Sequence, residues 1–138
     1  MENNLHTGGC LCGQVRYRVE GVPVDAGYCH CRICQRASGA QVVAWVTFPI
    51  DCFRLTEGEL ASYESSDVAV RHFCARCGTQ ITFRKLENPT LVDITLATLD
   101  DPSVLPPHYH IWTISQIPWL QIADDLPRHE ESGPDLLA

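Results

Sequence analysis

Lysine is almost absent from this chain of 138 residues: Lys85 stands alone beside nine arginines, and seventeen acidic residues leave a net charge of -7. The basic footprint that phosphate binding draws on is missing, so no nucleic-acid partner is expected. No apolar run approaches the ~20 residues of a membrane span, which excludes a transmembrane helix and a membrane partner of that kind. The start, Met1-Glu2-Asn3-Asn4-Leu5-His6-Thr7, carries neither a basic nor an apolar stretch. A secretory leader is therefore not expected, and the location read from the sequence is cytoplasmic. Internal repeats, low-complexity segments and a dividing linker are missing too. At 45% apolar and 20% charged residues, the composition is that of one domain with a core to bury.

What the chain has instead is cysteine, eight residues of it. In a reducing compartment, tight cysteine pairs point to metal ligation before disulfides, whose half-cystines are usually spaced more widely. Cys10-Leu11-Cys12 and Cys74-Ala75-Arg76-Cys77 together supply the four thiolates of a closed tetrahedral zinc site. On extended backbone Cys10 and Cys12 project to the same side. Gly13 and Gly78, each directly after a pair, suit the positive φ at which a zinc knuckle turns. Joining the pairs closes a loop of about sixty residues, a cost that metal binding offsets.

The segment Cys29-His30-Cys31-Arg32-Ile33-Cys34 brings three more thiolates to one ion and offers no evident fourth. An iron-sulfur cluster asks for four protein ligands, and the spare Cys52, between Asp51 and Phe53, reads as an inert core residue. His30 lies between two ligands, a position that turns its ring away from the metal they share. A second structural zinc with an unidentified fourth ligand stays open. Three thiolates more than neutralise Zn²⁺, leaving a weak Lewis acid but a good holder of an incoming thiol as thiolate. Such a thiolate can add to an aldehyde carbon, with Arg32 or Arg36 binding a carboxylate or steadying the alkoxide.

Period-2 alternation and β-branched runs predict strands over residues 14–20, 41–48, 53–56, 60–63, 68–73, 79–84, 91–96 and 110–115. A short helix over 31–37 stops at Gly39. The fold class is mainly β: one domain over residues 1–128, followed by an acidic tail over 129–138. Trp112 and Trp119 read as core or pocket wall; exposed, they would favour a protein partner.

The motifs Gly9-Cys10-Leu11-Cys12-Gly13, Cys29-His30-Cys31-Arg32-Ile33-Cys34 and Phe73-Cys74-Ala75-Arg76-Cys77-Gly78 resemble those of the glutathione-dependent formaldehyde-activating enzyme family. Leu99-Asp100-Asp101-Pro102, His110-Ile111, Pro118-Trp119 and Asp125-Leu126-Pro127 look like its later landmarks, so the likeness runs from about Gly8 to Pro127. It implies a β-tent fold of short antiparallel strands organised around a structural zinc on Cys10, Cys12, Cys74 and Cys77. It also implies a catalytic zinc on Cys29, Cys31 and Cys34, two zinc ions per chain in all. The implied activity is carbon-sulfur lyase chemistry, reversibly joining glutathione and formaldehyde as S-hydroxymethylglutathione. Two positions depart from the pattern: Gln35 where many members carry a basic residue, and His129 where an aromatic is common. The alternative role implied by β-tent relatives is a non-catalytic zinc module that binds protein.

Overall fold

A computed structural model describes residues 4–133. The first three residues, on which part of the leader expectation rests, and residues 134–138 of the expected acidic tail lie outside the described residues. Among the described residues the strands are β1 (Leu5–Gly9), β2 (Arg16–Glu20), β3 (Asp25–Cys29), β4 (Val43–Pro49), β5 (Phe53–Glu57), β6 (Leu60–Ser66), β7 (Ala69–Cys74), β8 (Gln80–Lys85), β9 (Leu91–Thr95) and β10 (His110–Ile111), with one α-helix, α1 (Arg32–Ser38), after β3. They form a three-stranded sheet in the order β1-β2-β5 and a seven-stranded sheet in the order β10-β3-β4-β9-β8-β7-β6. Every named pairing is antiparallel except that of β10 with β3. The fold is mainly β, as the strand periodicity predicts.

Side-chain alternation along the central strands divides the molecule into two cores. From β4 and β9, Val46, Phe48, Val92 and Ile94 enter a core with Tyr17 and Val19 of β2, together with Ile81, Leu96 and Leu99. That core also contains Cys10 and Cys74. On the other side, Val43 and Trp45 pack with Tyr109, Ile111, Cys29 and Cys34. Each cysteine group thus belongs to a different core.

Helix α1 follows from its ends. Cys31 is the N-cap in extended conformation, its sulfur accepting from the Cys34 N–H, and Gly39 at φ 72 closes the C-terminus in the left-handed region. Two strands escaped the periodicity. β1 is Leu-His-Thr-Gly-Gly and β3 is Asp-Ala-Gly-Tyr-Cys, both turn-like in composition. Their glycines answer to packing: a Cβ on Gly8 would meet the Tyr17 hydroxyl, and one on Gly27 the Tyr109 ring. The strand predicted over 110–115 is cut to His110–Ile111. Trp112 adopts φ 57, a left-handed conformation unusual for a bulky residue, and Thr113–Ser115 forms a 3₁₀ turn. Backbone N–H groups of Trp112, Thr113 and Ile114 donate to the carbonyls of Glu131, His129 and Glu130, so the chain just beyond residue 128 is tied to the body.

Candidate metal centre and active site

Cys10 leaves β1 and Cys12 follows in the turn to β2, while Cys74 ends β7 and Cys77 lies in the turn to β8. The four sulfurs lie within 4.8 Å of one another. Two separations are 3.6 Å (Cys10–Cys12) and 3.8 Å (Cys12–Cys74). A tetrahedron with Zn–S bonds of about 2.3 Å has S–S edges of about 3.8 Å, and these two separations match such edges. Both turns are built alike. Cys10 and Cys74 donate their backbone N–H to Val15 and Thr79. Gly13 and Gly78 donate back to the Cys10 and Cys74 carbonyls, at φ 82 and 81. The Val15 N–H points to Cys10 Sγ at 3.2 Å and the Cys77 N–H to Cys74 Sγ at 3.5 Å. Thr79 links the pairs, accepting from the Leu11 N–H at 3.1 Å and standing 3.2 Å from Cys77 Sγ. Hydrogen bonds aimed at sulfur favour the thiolate, and they hold Cys77 down to about 5, with Thr79 the leading cause.

Cys29, Cys31 and Cys34 form the second group, their sulfurs likewise within 4.8 Å of one another. Cys29 is the last residue of β3, Cys31 caps α1 and Cys34 is its third residue, so one strand-to-helix junction supplies all three. Contact with the Cys29 and Cys34 thiols pulls the Cys31 thiol down, while Cys31 and then Cys34 push Cys29 up. Three sulfurs this close share their protons and offer a soft metal one compact face. The face borders a cavity of about 420 Å³ walled by Trp45, Phe83, Ile111 and Trp112, with Arg32, Arg71 and Lys85 also at its edge.

His30 does not join the sulfurs. It is fully buried, and its Nε2 stands 2.8 Å from His110 Nδ1, while His110 Nε2 stands 3.0 Å from Asp124 Oδ2. An ionised Asp124 accepts from His110 Nε2–H, which leaves His110 Nδ1 to accept from His30 Nε2–H. Burial, then His110 and Arg128, lower His30 to about 4, so its ring stays neutral near pH 7. Gln35, also buried, donates to the His30 carbonyl at 2.8 Å and the Ser115 carbonyl at 3.2 Å. These contacts fix the backbone on which Cys29 and Cys31 sit.

Of the two arginines expected beside this group, Arg32 reaches the cavity edge, its Nη1 donating to Gln35 Oε1 at 2.7 Å. Arg36 is exposed on the last turn of α1 and is not part of the cavity lining. The guanidinium against the sulfurs belongs to Arg71 of β7. It is 5% exposed, lies over the rings of Phe83 and Trp45 at 5.0 and 5.9 Å, and brings Nη2 to 3.6 Å from Cys34 Sγ. Its only sequence signal is an arginine on the inward period of a buried strand, three residues before Cys74. Cys52 is partly buried at the rim of the first core. Trp112 lines the cavity, whereas Trp119 is 68% exposed.

Fold and sites together define a small β protein with two metal-capable cysteine centres, one of four sulfurs at the edge of a core and one of three facing a cavity. The sequence profile of the glutathione-dependent formaldehyde-activating enzyme family matches residues 5–115, and the chain belongs to that family. A Halomonas elongata protein named "Putative glutathione-dependent formaldehyde-activating enzyme" is 27% identical over 127 residues, 86% of this chain and 81% of that protein. Among solved structures, a Rhodobacter sphaeroides protein aligns with a TM-score of 0.58 and 29% identity, covering 68% of this chain and 87% of that one.

Proposed function

We propose that this chain is a zinc-dependent carbon-sulfur lyase that reversibly joins glutathione and formaldehyde as S-hydroxymethylglutathione. The observation that carries the reading is the three-sulfur face of Cys29, Cys31 and Cys34 on a cavity of about 420 Å³, beside a separate four-sulfur centre. The first is the catalytic metal site and the second the structural one, giving two zinc ions per chain in one domain built as a β-tent, whose boundary near residue 128 is extended by the backbone bonds of residues 129–131 to Trp112–Ile114. Zinc on three thiolates supplies a position at which an entering thiol is held as thiolate. The protein's own part is to place that thiol. Trp45, Phe83 and Trp112 exclude water around it, and the His30–His110–Asp124 chain with Gln35 keeps the cysteine segment in register. Free thiolates of this kind persist in a reducing compartment, in keeping with a cytoplasmic location.

A Cys29/Cys31/Cys34→Ser variant tests this. It is expected to stay folded, to contain one zinc fewer than the wild type, and to lose all acceleration of adduct formation from glutathione and formaldehyde. Wild-type protein that leaves the spontaneous rate unchanged would sink the glutathione assignment. The exposure of Trp119 (68%) and Ile114 (65%) favours a second reading, a non-catalytic zinc module that binds protein. That reading expects two zinc ions, an intact fold and no acceleration at all.

A further inference from the structure

We propose that Arg71 is a catalytic residue whose Nη1–H receives the aldehyde oxygen as it becomes an alkoxide. This rests on the reading that Cys29, Cys31 and Cys34 hold the reacting thiol. Two nitrogens of the guanidinium are already anchored: Nε donates to Ser65 Oγ at 3.1 Å and Nη2 to Cys34 Sγ at 3.6 Å. Nη1 is buried and has no hydrogen-bond partner among the described residues. A buried donor left without an acceptor is unusual in a native protein and asks for a ligand atom. The flanking Phe83 and Trp45 rings keep the plane from turning away, so this donor is organised before any charge appears.

Position selects the oxygen. The guanidinium touches Cys34 Sγ, so a thiol sulfur lying against the three cysteines brings its new C–O oxygen, two bonds away, close to Arg71. A carboxylate on a thiol such as glutathione is many bonds further off. Lys85 lies one two-residue step along the same face, opposite Ala69 where Arg71 is opposite Phe83, and also borders the cavity. Arg32 spends Nη1 on Gln35, and Arg36 is exposed.

The step balances without a redox partner. The thiol gives up its proton to solvent, and its sulfur pair forms the S–C bond. The C=O π pair moves to oxygen, which accepts from Nη1–H and then takes a proton from water. Arg71 stays protonated throughout. Because Nη1 gains its acceptor only as charge develops, it lowers the barrier more than it tightens thiol binding.

Arg71→Lys and Arg71→Ala test the role in full-length, zinc-loaded protein. Both are expected to lower kcat by about 10²-fold or more while KM for the thiol changes by less than about threefold. Guanidinium chloride is expected to restore part of the Arg71→Ala rate. Independently of activity, the Arg71 Nε–H proton resonance, identified by its loss in Arg71→Lys, is expected to move when glutathione and formaldehyde are present together and to stay nearly fixed with glutathione alone. An unchanged kcat with weakened thiol affinity, or an equal shift with glutathione alone, would overturn the proposal in favour of carboxylate binding. Absence of guanidinium rescue in a folded Arg71→Ala with full zinc content also overturns it. Should Arg71→Ala not fold, Arg71→Lys and the wild-type resonance decide. Wild-type protein without acceleration defeats the glutathione reading instead. In that case the resonance is followed with 2-mercaptoethanol and formaldehyde, where silence overturns the role of Arg71.

Discussion

The two cysteine centres use the same ligand atom and differ in everything around it. At the closed centre, two similar turns separated by more than sixty positions each aim backbone N–H groups at sulfur, and Thr79 ties one turn to the other. The second centre draws its sulfurs from a single strand-to-helix junction, and a cavity takes the place of a fourth cysteine. One site exists only once the fold has brought two distant segments together. The other is nearly local in sequence, and its neighbours, Arg71 and the His30–His110–Asp124 chain, add charge and orientation. The contrast separates a four-sulfur set from a three-sulfur one by their surroundings, not by their ligand atom.

The harshest way to break that contrast is Cys74→Ser. Cys74 is buried in the first core and completes a four-sulfur set, and structural zinc binding is worth on the order of 10 kcal/mol of folding free energy. Loss of zinc and of a cooperative thermal transition is expected. A variant with full zinc content and an unchanged melting temperature would show the set is not structural. Cys31→Ser is the matching change at the open centre. Serine is itself a good N-cap and keeps the acceptor for the Cys34 N–H, so α1 should survive. Expected are one zinc fewer, a melting temperature within a few degrees of the wild type, and no turnover. A collapse like that of Cys74→Ser would erase the distinction.

Much of this architecture is written locally. Gly39 and the Cys31 cap delimit α1, alternation from Arg16 to Glu20 specifies β2, and cysteine spacing sorts seven cysteines into groups of four and three. What stayed hidden is what depends on distant chain. Asp-Ala-Gly-Tyr-Cys becomes β3 because Tyr109 occupies the space a side chain on Gly27 would need. The strand expected through Ser115 ends at Ile111 because Trp112 turns left-handed and the next residues bond to His129 and Glu130. Proximity to the cysteines in sequence favoured Arg32 and Arg36, yet a strand forty residues later delivers Arg71. His110 and Asp124 likewise reach His30 only across the sheet.

A milder test isolates the wiring of the closed site. Thr79→Val removes the hydroxyl between the Leu11 N–H and Cys77 Sγ while keeping shape. A loss of about 1–2 kcal/mol in urea unfolding is expected, with adduct formation per folded molecule unchanged. A change in turnover without a change in stability would mean the two centres are coupled after all.

The gentlest effect belongs to the open side and follows from His30. Its folded pKa of about 4 lies below the unfolded value of 6.5, chiefly because burial opposes the charged ring. Between those values the unfolded chain binds more protons, so stability rises with pH. The contribution is complete above 6.5 and is lost as pH falls toward 4. Cys77, held down to about 5, protonates over the same range, but that cancels when wild type is compared with His30→Gln, which keeps a donor toward His110. Asp124, held low mainly by its bond to His110, titrates further down. The wild type should therefore lose stability relative to the variant as pH is lowered from 6.5 to 4, read from urea midpoints at each pH. A constant gap would mean that His30 is not held neutral, and that the open centre owes its orientation to Gln35 and the α1 cap alone.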